Sequence, residues 1–172
     1  HVLFRRQRQM CIRDRFYPVD DSNIKKLLEM GVYCQEESFD SVGKNKGWHV
    51  KIKNPECSTF DIYQNKKLRG SINWNLIGEH NKKNALATFV MAISLGLKGQ
   101  QISKSLSAFK GTARRMEMIG EKNSISVYDD FAHHPTAIKY TLDGLRKKVG
   151  SQKIICLLEM RSNTMSSGYH DK

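Results

Sequence analysis

The sequence predicts an α/β fold in two parts, and three observations carry that expectation. Between positions 48 and 74, three alternating runs are separated by short Asn- and Pro-containing turns, the pattern of an antiparallel meander. From 85 to 97, Ala85, Leu86, Phe89, Val90, Ile93 and Leu97 share one face of a helix. From 124 to 158, a β-branched run, a helical pattern opened by proline and a second apolar run follow one another as βαβ units do.

In chain order, residues 21–31 read as a short helix capped by Asp21 or Ser22 and ended by Gly31. Residues 32–34 form a candidate strand, and the polar stretch 35–47 reads as loop. Strands follow at 48–53, 58–63 and 67–74, with turns at 54–56 and 64–66. The amphipathic helix comes next, with Gly96 and Gly99 flanking its end, and 101–109 is a shorter helix. The segment 110–113 reads as a hinge because Gly111 tolerates backbone angles that other residues resist. Strands are expected at 114–121 and 124–128, a helix at 136–149, a buried strand at 153–158 and a polar loop at 159–165. One βαβ crossover buries too little surface to make a whole domain.

Composition narrows the function classes. The 172 residues carry a formal charge of +12 and 39% apolar residues, with no apolar run long enough to span a membrane. No secretory signal pattern opens the chain, so a soluble, cytoplasmic protein is expected. Cys11, Cys34, Cys57 and Cys156 are scattered without a framework and read as reduced thiols. Residues 1–15 supply +4 of the charge and show neither periodicity nor a cap. The stretch Gln9-Met-Cys-Ile-Arg-Asp-Arg15 resembles the translation of a sequencing-library adapter, so 1–15 is set aside as non-native. The remaining lysines are dispersed, without interleaved aromatics or a nucleic-acid motif. A small basic nucleic-acid-binding module is therefore a rival reading that the pattern does not favour.

The chemistry gathers at Asp129, Asp130, His133 and His134, where a strand ends and a helix started by Pro135 begins. That is the edge of an α/β sheet where ligands bind. Metal ligation is poorly matched, since no third ligand sits at helical spacing and no Cys-x-x-Cys occurs. Asn81 and Asn84 lie three apart at a helix start. An amide both donates and accepts, which suits a nucleotide base edge, although these residues alone favour helix capping by Asn81. Arg114 and Arg115 could hold phosphate oxygens or be solvated surface.

The run Asp129-Asp-Phe-Ala-His-His-Pro-Thr-Ala-Ile138 resembles the opening of the C-terminal domain of the muramyl (Mur) ligases, ATP-dependent amide-forming enzymes of bacterial cell-wall synthesis. Gly78-Glu-His-Asn-Lys-Lys-Asn84, Arg115-Met-Glu117 and Glu159-Met-Arg-Ser-Asn-Thr-Met165 recur in that family in the same order. The resemblance runs from about Asp20 to His170 and implies an internal piece of a longer enzyme. Residues 16–110 would be the C-terminal portion of the central ATP-binding domain, with antiparallel strands plus helices. Residues 111–172 would begin a Rossmann-like C-terminal ligase domain.

The resemblance also implies roles. His80, Asn81 and Asn84 would contact the nucleotide base, Arg115 the phosphates, and Asp130 and His133 the ribose and phosphates. Arg161, Ser162 and Asn163 would bind substrate. The 159–165 loop resembles that of members joining UDP-N-acetylmuramate to the tripeptide L-alanyl-γ-D-glutamyl-meso-diaminopimelate in cell-wall recycling. Alanine-adding members, the alternative, carry a His-Arg-Tyr-Thr-Arg type of loop; Met160 stands where a proline is expected. ATP and Mg2+ are the implied cofactors, with neither nucleic acid nor membrane as partner. No Gly-x-x-x-x-Gly-Lys-Ser/Thr occurs, so the chain alone is expected to be inactive.

Overall fold

The computed structural model describes residues 15–31, 34–40 and 47–159. Strand β1 (Arg15–Pro18) leads through helix α1 (Ser22–Glu29) to β2 (Glu36–Asp40). The meander follows as β3 (Trp48–Ile52), β4 (Thr59–Gln64) and β5 (Lys67–Asn73). Helices α2 (Glu79–Ser94) and α3 (Gly99–Ala108) come next, then β6 (Glu117–Lys122), β7 (Ile125–Asp129) and α4 (Pro135–Val149).

Five strands form one mixed sheet in the order β1-β2-β3-β4-β5. The first three are parallel, and β3, β4 and β5 are antiparallel as their short turns require. Alternation along β4 turns Phe60 and Ile62 inward. They meet Trp48, Val50 and Ile72 from the sheet, Trp74 just after β5, and Ala85, Leu86, Phe89 and Val90 from α2. Phe39 of β2 and Ile102 of α3 close this core. Of the helix face read from the sequence, Ala85, Leu86, Phe89 and Val90 are buried against the sheet and Ile93 packs beside them, whereas Leu97 lies beyond the end of α2 and is exposed. Asp21 caps α1, accepting from the amides of Asn23 and Ile24.

The second part is built differently. β6 and β7 make a two-stranded antiparallel hairpin whose turn residues Asn123 and Ser124 have φ of 51° and 61°. α4 follows, with His134 as its N-cap and Pro135 in its first turn.

Three expectations need correction, and a fourth falls mostly outside the described residues. Arg15 belongs to the fold, paired with Glu36 at the head of β1; residues 1–14 lie outside the described residues. The 35–47 stretch contains a strand, β2, whose polar side chains are used: Trp48 Nε1 donates to Glu37 Oε1 at 2.7 Å and the Tyr17 hydroxyl to Glu36 at 3.1 Å. Of the candidate strand at 32–34, Val32 and Tyr33 are outside the described residues and Cys34 is in no strand. The expected buried strand 153–158 is not one: 153–159 has no regular structure and Leu157 is 94% exposed. An apolar run becomes a strand only where a neighbour completes its ladder, and among the described residues β7 pairs only with β6.

Candidate nucleotide site at the junction of the two parts

The site begins at Gly78, the N-cap of α2, whose φ of 94° suits glycine. The Gly78 amide donates to Glu56 O at 2.8 Å, tying the turn to the β3–β4 connection. One turn into the helix, Lys82 is buried and paired with Glu79. The Cys57 thiol lies 3.6 Å from the other Glu79 oxygen. Burial pushes the Cys57 thiol up, and the Glu79 carboxylate pushes it further. A buried ammonium must be paired to be tolerated, so this cluster pins the first turn of α2 from beneath.

On the outer side of that turn stand His80, Asn81 and Asn84. The Asn81 amide nitrogen donates to Ile77 O at 2.8 Å, so Asn81 holds its own turn without being the N-cap. Asn84 is exposed one turn on. The His80 ring folds back on Gly78, and its Nδ1 is buried with no hydrogen-bond partner. Desolvation holds the His80 imidazole below its ordinary value; the nearby Asp130 carboxylate opposes this and Arg115 adds to it. Asp130 and Arg115 both come from the second part of the chain. The contact across the junction is made by α4, where a Cβ on Gly78 would lie 3.9 Å from Tyr140 O and one on Gly144 3.3 Å from Gly78 Cα.

Asp130 is the organising carboxylate of the second part. One oxygen accepts from the Met116 amide at 2.8 Å and the other from the Ala132 amide at 2.7 Å. This holds a turn in which Arg114 and Met116 take φ of 57° and 49°, conformations that cost L-residues energy. Those angles delay the strand expected from 114 until Glu117. Asp129 pairs with Arg114 at 3.1 Å, and His134 Nδ1 accepts from the Thr136 amide at 3.2 Å. Three of the four clustered titratable groups, Asp129, Asp130 and His134, thus serve local structure. His133 is exposed, with Nδ1 3.0 Å from Phe131 O. Arg161, Ser162 and Asn163 lie outside the described residues.

Three residues here were missed from sequence. Phe131 lies 5.2 Å from the Arg114 guanidinium, 6.0 Å from that of Arg115 and 5.1 Å from the His133 ring. Its place inside the Asp-Asp-x-x-His-His run was the available signal. Lys82 gave none, since a lysine in a helix usually snorkels outward. Gly144, buried in mid-α4, was visible as a glycine interrupting a helical pattern. The hinge glycine, Gly111, has φ of 93° and packs so closely that a Cβ there would lie 2.8 Å from Leu76 Cδ2.

The fit to a nucleotide rests on the groups left over. A buried, unpartnered imidazole nitrogen stands beside an exposed amide, and Arg115 has no carboxylate within ion-pair distance among the described residues. A base edge with donors and acceptors, followed by phosphates, satisfies both. The described residues contain no group of three His, Cys, Asp or Glu arranged to hold a metal ion. No described helix is long and apolar enough to cross a membrane.

Comparison with known proteins places the chain in a family. Residues 114–168 match the family model described as Mur ligase, glutamate ligase domain. The UDP-N-acetylmuramate–L-alanyl-γ-D-glutamyl-meso-2,6-diaminoheptandioate ligase of Escherichia coli K12 is 39% identical over 88% of this chain and 33% of its own length. Its Haemophilus influenzae counterpart is 38% identical over 87% and 33%. A crystal structure of a murein peptide ligase from Psychrobacter arcticus superposes with a TM-score of 0.62 at 35% identity, covering 88% of this chain and 32% of that one. The chain spans about a third of the length of the curated relatives it matches. With its α/β fold, its ordered motifs and these matches, the chain belongs to the Mur ligase family.

Proposed function

We propose that this chain is the nucleotide-gripping junction of an ATP-dependent ligase. The whole enzyme would join UDP-N-acetylmuramate to L-alanyl-γ-D-glutamyl-meso-diaminopimelate in peptidoglycan recycling. The observation that carries this reading is the packing of α4 on the N-cap of α2: a Cβ on Gly144 would lie 3.3 Å from Gly78 Cα, which sets the second part of the chain beside the turn that bears His80 and Asn81. The names of the relatives at 38–39% identity support the choice of substrates.

In this reading His80, Asn81 and Asn84 meet the adenine edge, where an amide can donate and accept together. Arg115 presents its fork to phosphate oxygens. His133 approaches the ribose and phosphates. Asp130 reaches the ribose with its remaining lone pairs while holding the turn that aims Arg115. Arg161, Ser162 and Asn163 receive the tripeptide. ATP supplies the phosphoryl group that activates the muramate carboxylate as an acyl phosphate for attack by the tripeptide amine. Residues 16–110 belong to the central domain and 111–172 to the C-terminal domain, and magnesium is assigned to groups elsewhere in the enzyme.

The test is a chimera in which this chain replaces the matching third of the Escherichia coli relative. ADP release should require UDP-N-acetylmuramate and the tripeptide together, and the 172-residue chain alone should release none. Asp130→Ala in the chimera should raise KM for ATP roughly tenfold, the scale of lost hydrogen bonds to a charged group. Turnover with L-alanine in place of the tripeptide would move the chain to the alanine-adding members. An unchanged KM would remove Asp130 from the nucleotide site.

A further inference from the structure

Gly144 sits in mid-α4, where glycine weakens a helix relative to alanine. It is also the residue of α4 that is buried. What buries it is the first part of the chain. A Cβ on Gly144 would lie 3.3 Å from Gly78 Cα, 3.5 Å from Gly78 N and 3.8 Å from Ile77 Cγ1. Two backbones approach as closely as this only where neither carries a side chain between them.

The other contacts of Gly78 show what the approach controls. A Cβ on Gly78 would lie 3.0 Å and 3.1 Å from His80 Cε1 and Nδ1, and 3.9 Å from Tyr140 O of α4. The imidazole and α4 thus press on the same glycine. The seat of α4 lies beside the ring that carries the unpartnered nitrogen. Asp130 and Arg115 act on that ring from the segment leading into α4.

We propose that Gly144 is a positioning residue for the nucleotide site: its missing side chain is the notch by which the second part of the chain seats on the first turn of α2. The notch sets how Arg115 and Asp130 face Asn81 and Asn84; the 110–113 connection only permits the approach. Naming ATP as the ligand rests on the function proposed above. The notch itself does not.

The experiment uses the whole 172-residue chain, with the His80 ring followed by NMR across pH in the wild type, Gly144→Leu and Asp143→Ala. In the wild type His80 should titrate below 6.5, and a cross-peak should join the Hα protons of Gly78 and Gly144. Gly144→Leu should return His80 to the ordinary range. Its far-UV helix signal should not fall, because leucine is the better helix former. Asp143→Ala, at an exposed neighbour on the same helix, should leave His80 as it was. A wild-type chain without the Hα cross-peak, or a Gly144→Leu chain with wild-type His80 titration, would overturn the notch. ATP added to the same samples should bind Gly144→Leu at least about fivefold more weakly, the low end of coupling between sites. Equal ATP affinity would overturn the notch's role in the site. ATP bound by neither chain would overturn the nucleotide reading, while the His80 titration still decides the seat.

Discussion

His80 makes the fit between the two parts sensitive to acid. Burial holds its imidazole below 6.5, with Arg115 assisting and Asp130 opposing. The folded chain then takes up that proton less readily than the unfolded chain, so the unfolded state gains protons first as pH falls. The stability carried by neutral His80 is complete above 6.5 and is lost progressively as pH drops from there through the lower folded value. Melting temperatures measured from pH 7.5 to 5 should therefore fall more steeply for the wild type than for His80→Gln. Parallel slopes would deny His80 this role. The uses of its neighbours were hidden at this scale. Asp130 reaches back to Met116, fourteen residues away in sequence, and Asp129 to Arg114, fifteen away. Adjacent acids in a sequence do not disclose which backbone amides they will meet.

Among the elements, the β6–β7 hairpin carries avoidable strain. Ser124 holds φ of 61°, which disfavours a residue with a Cβ, while glycine after Asn123 would give the preferred two-residue turn. Ser124→Gly should stabilise the hairpin by about 1 kcal/mol, read as roughly fivefold slower amide exchange in β7. Faster exchange would mean that the serine hydroxyl contributes more than the backbone loses. The meander and α2 were legible because each buries one face, so alternation and helical spacing write themselves into the residue pattern. β2 escaped because Phe39 and Asp40 are its buried residues and its glutamates are spent on hydrogen bonds. The run 153–158 misled in the opposite sense: it is apolar enough for a strand but has no ladder to join among the described residues. Of the site, the Gly78 motif and the acidic run were legible as places. The packing of Gly144 on Gly78, which joins them, was not, because a contact spanning sixty-six residues leaves no local pattern.

At the scale of the molecule, the two parts differ in how they are held. The first has a core of aromatic and branched side chains shared by sheet and helices, with Phe60, Leu86 and Phe89 fully enclosed. The second exposes Met118, Ile125, Val127 and Leu157 and touches the first chiefly where α4 meets the start of α2. Both tryptophans of the chain, Trp48 and Trp74, lie in the first core, and the second part has none. Indole emission is therefore blind to the second part. In a denaturant titration the far-UV signal of α4 should be lost at a lower concentration than the tryptophan signal. Coincident transitions would mean that the chain unfolds as one cooperative unit. A single optical probe on this protein would report a sturdy molecule while the part that aims Arg115 had already let go.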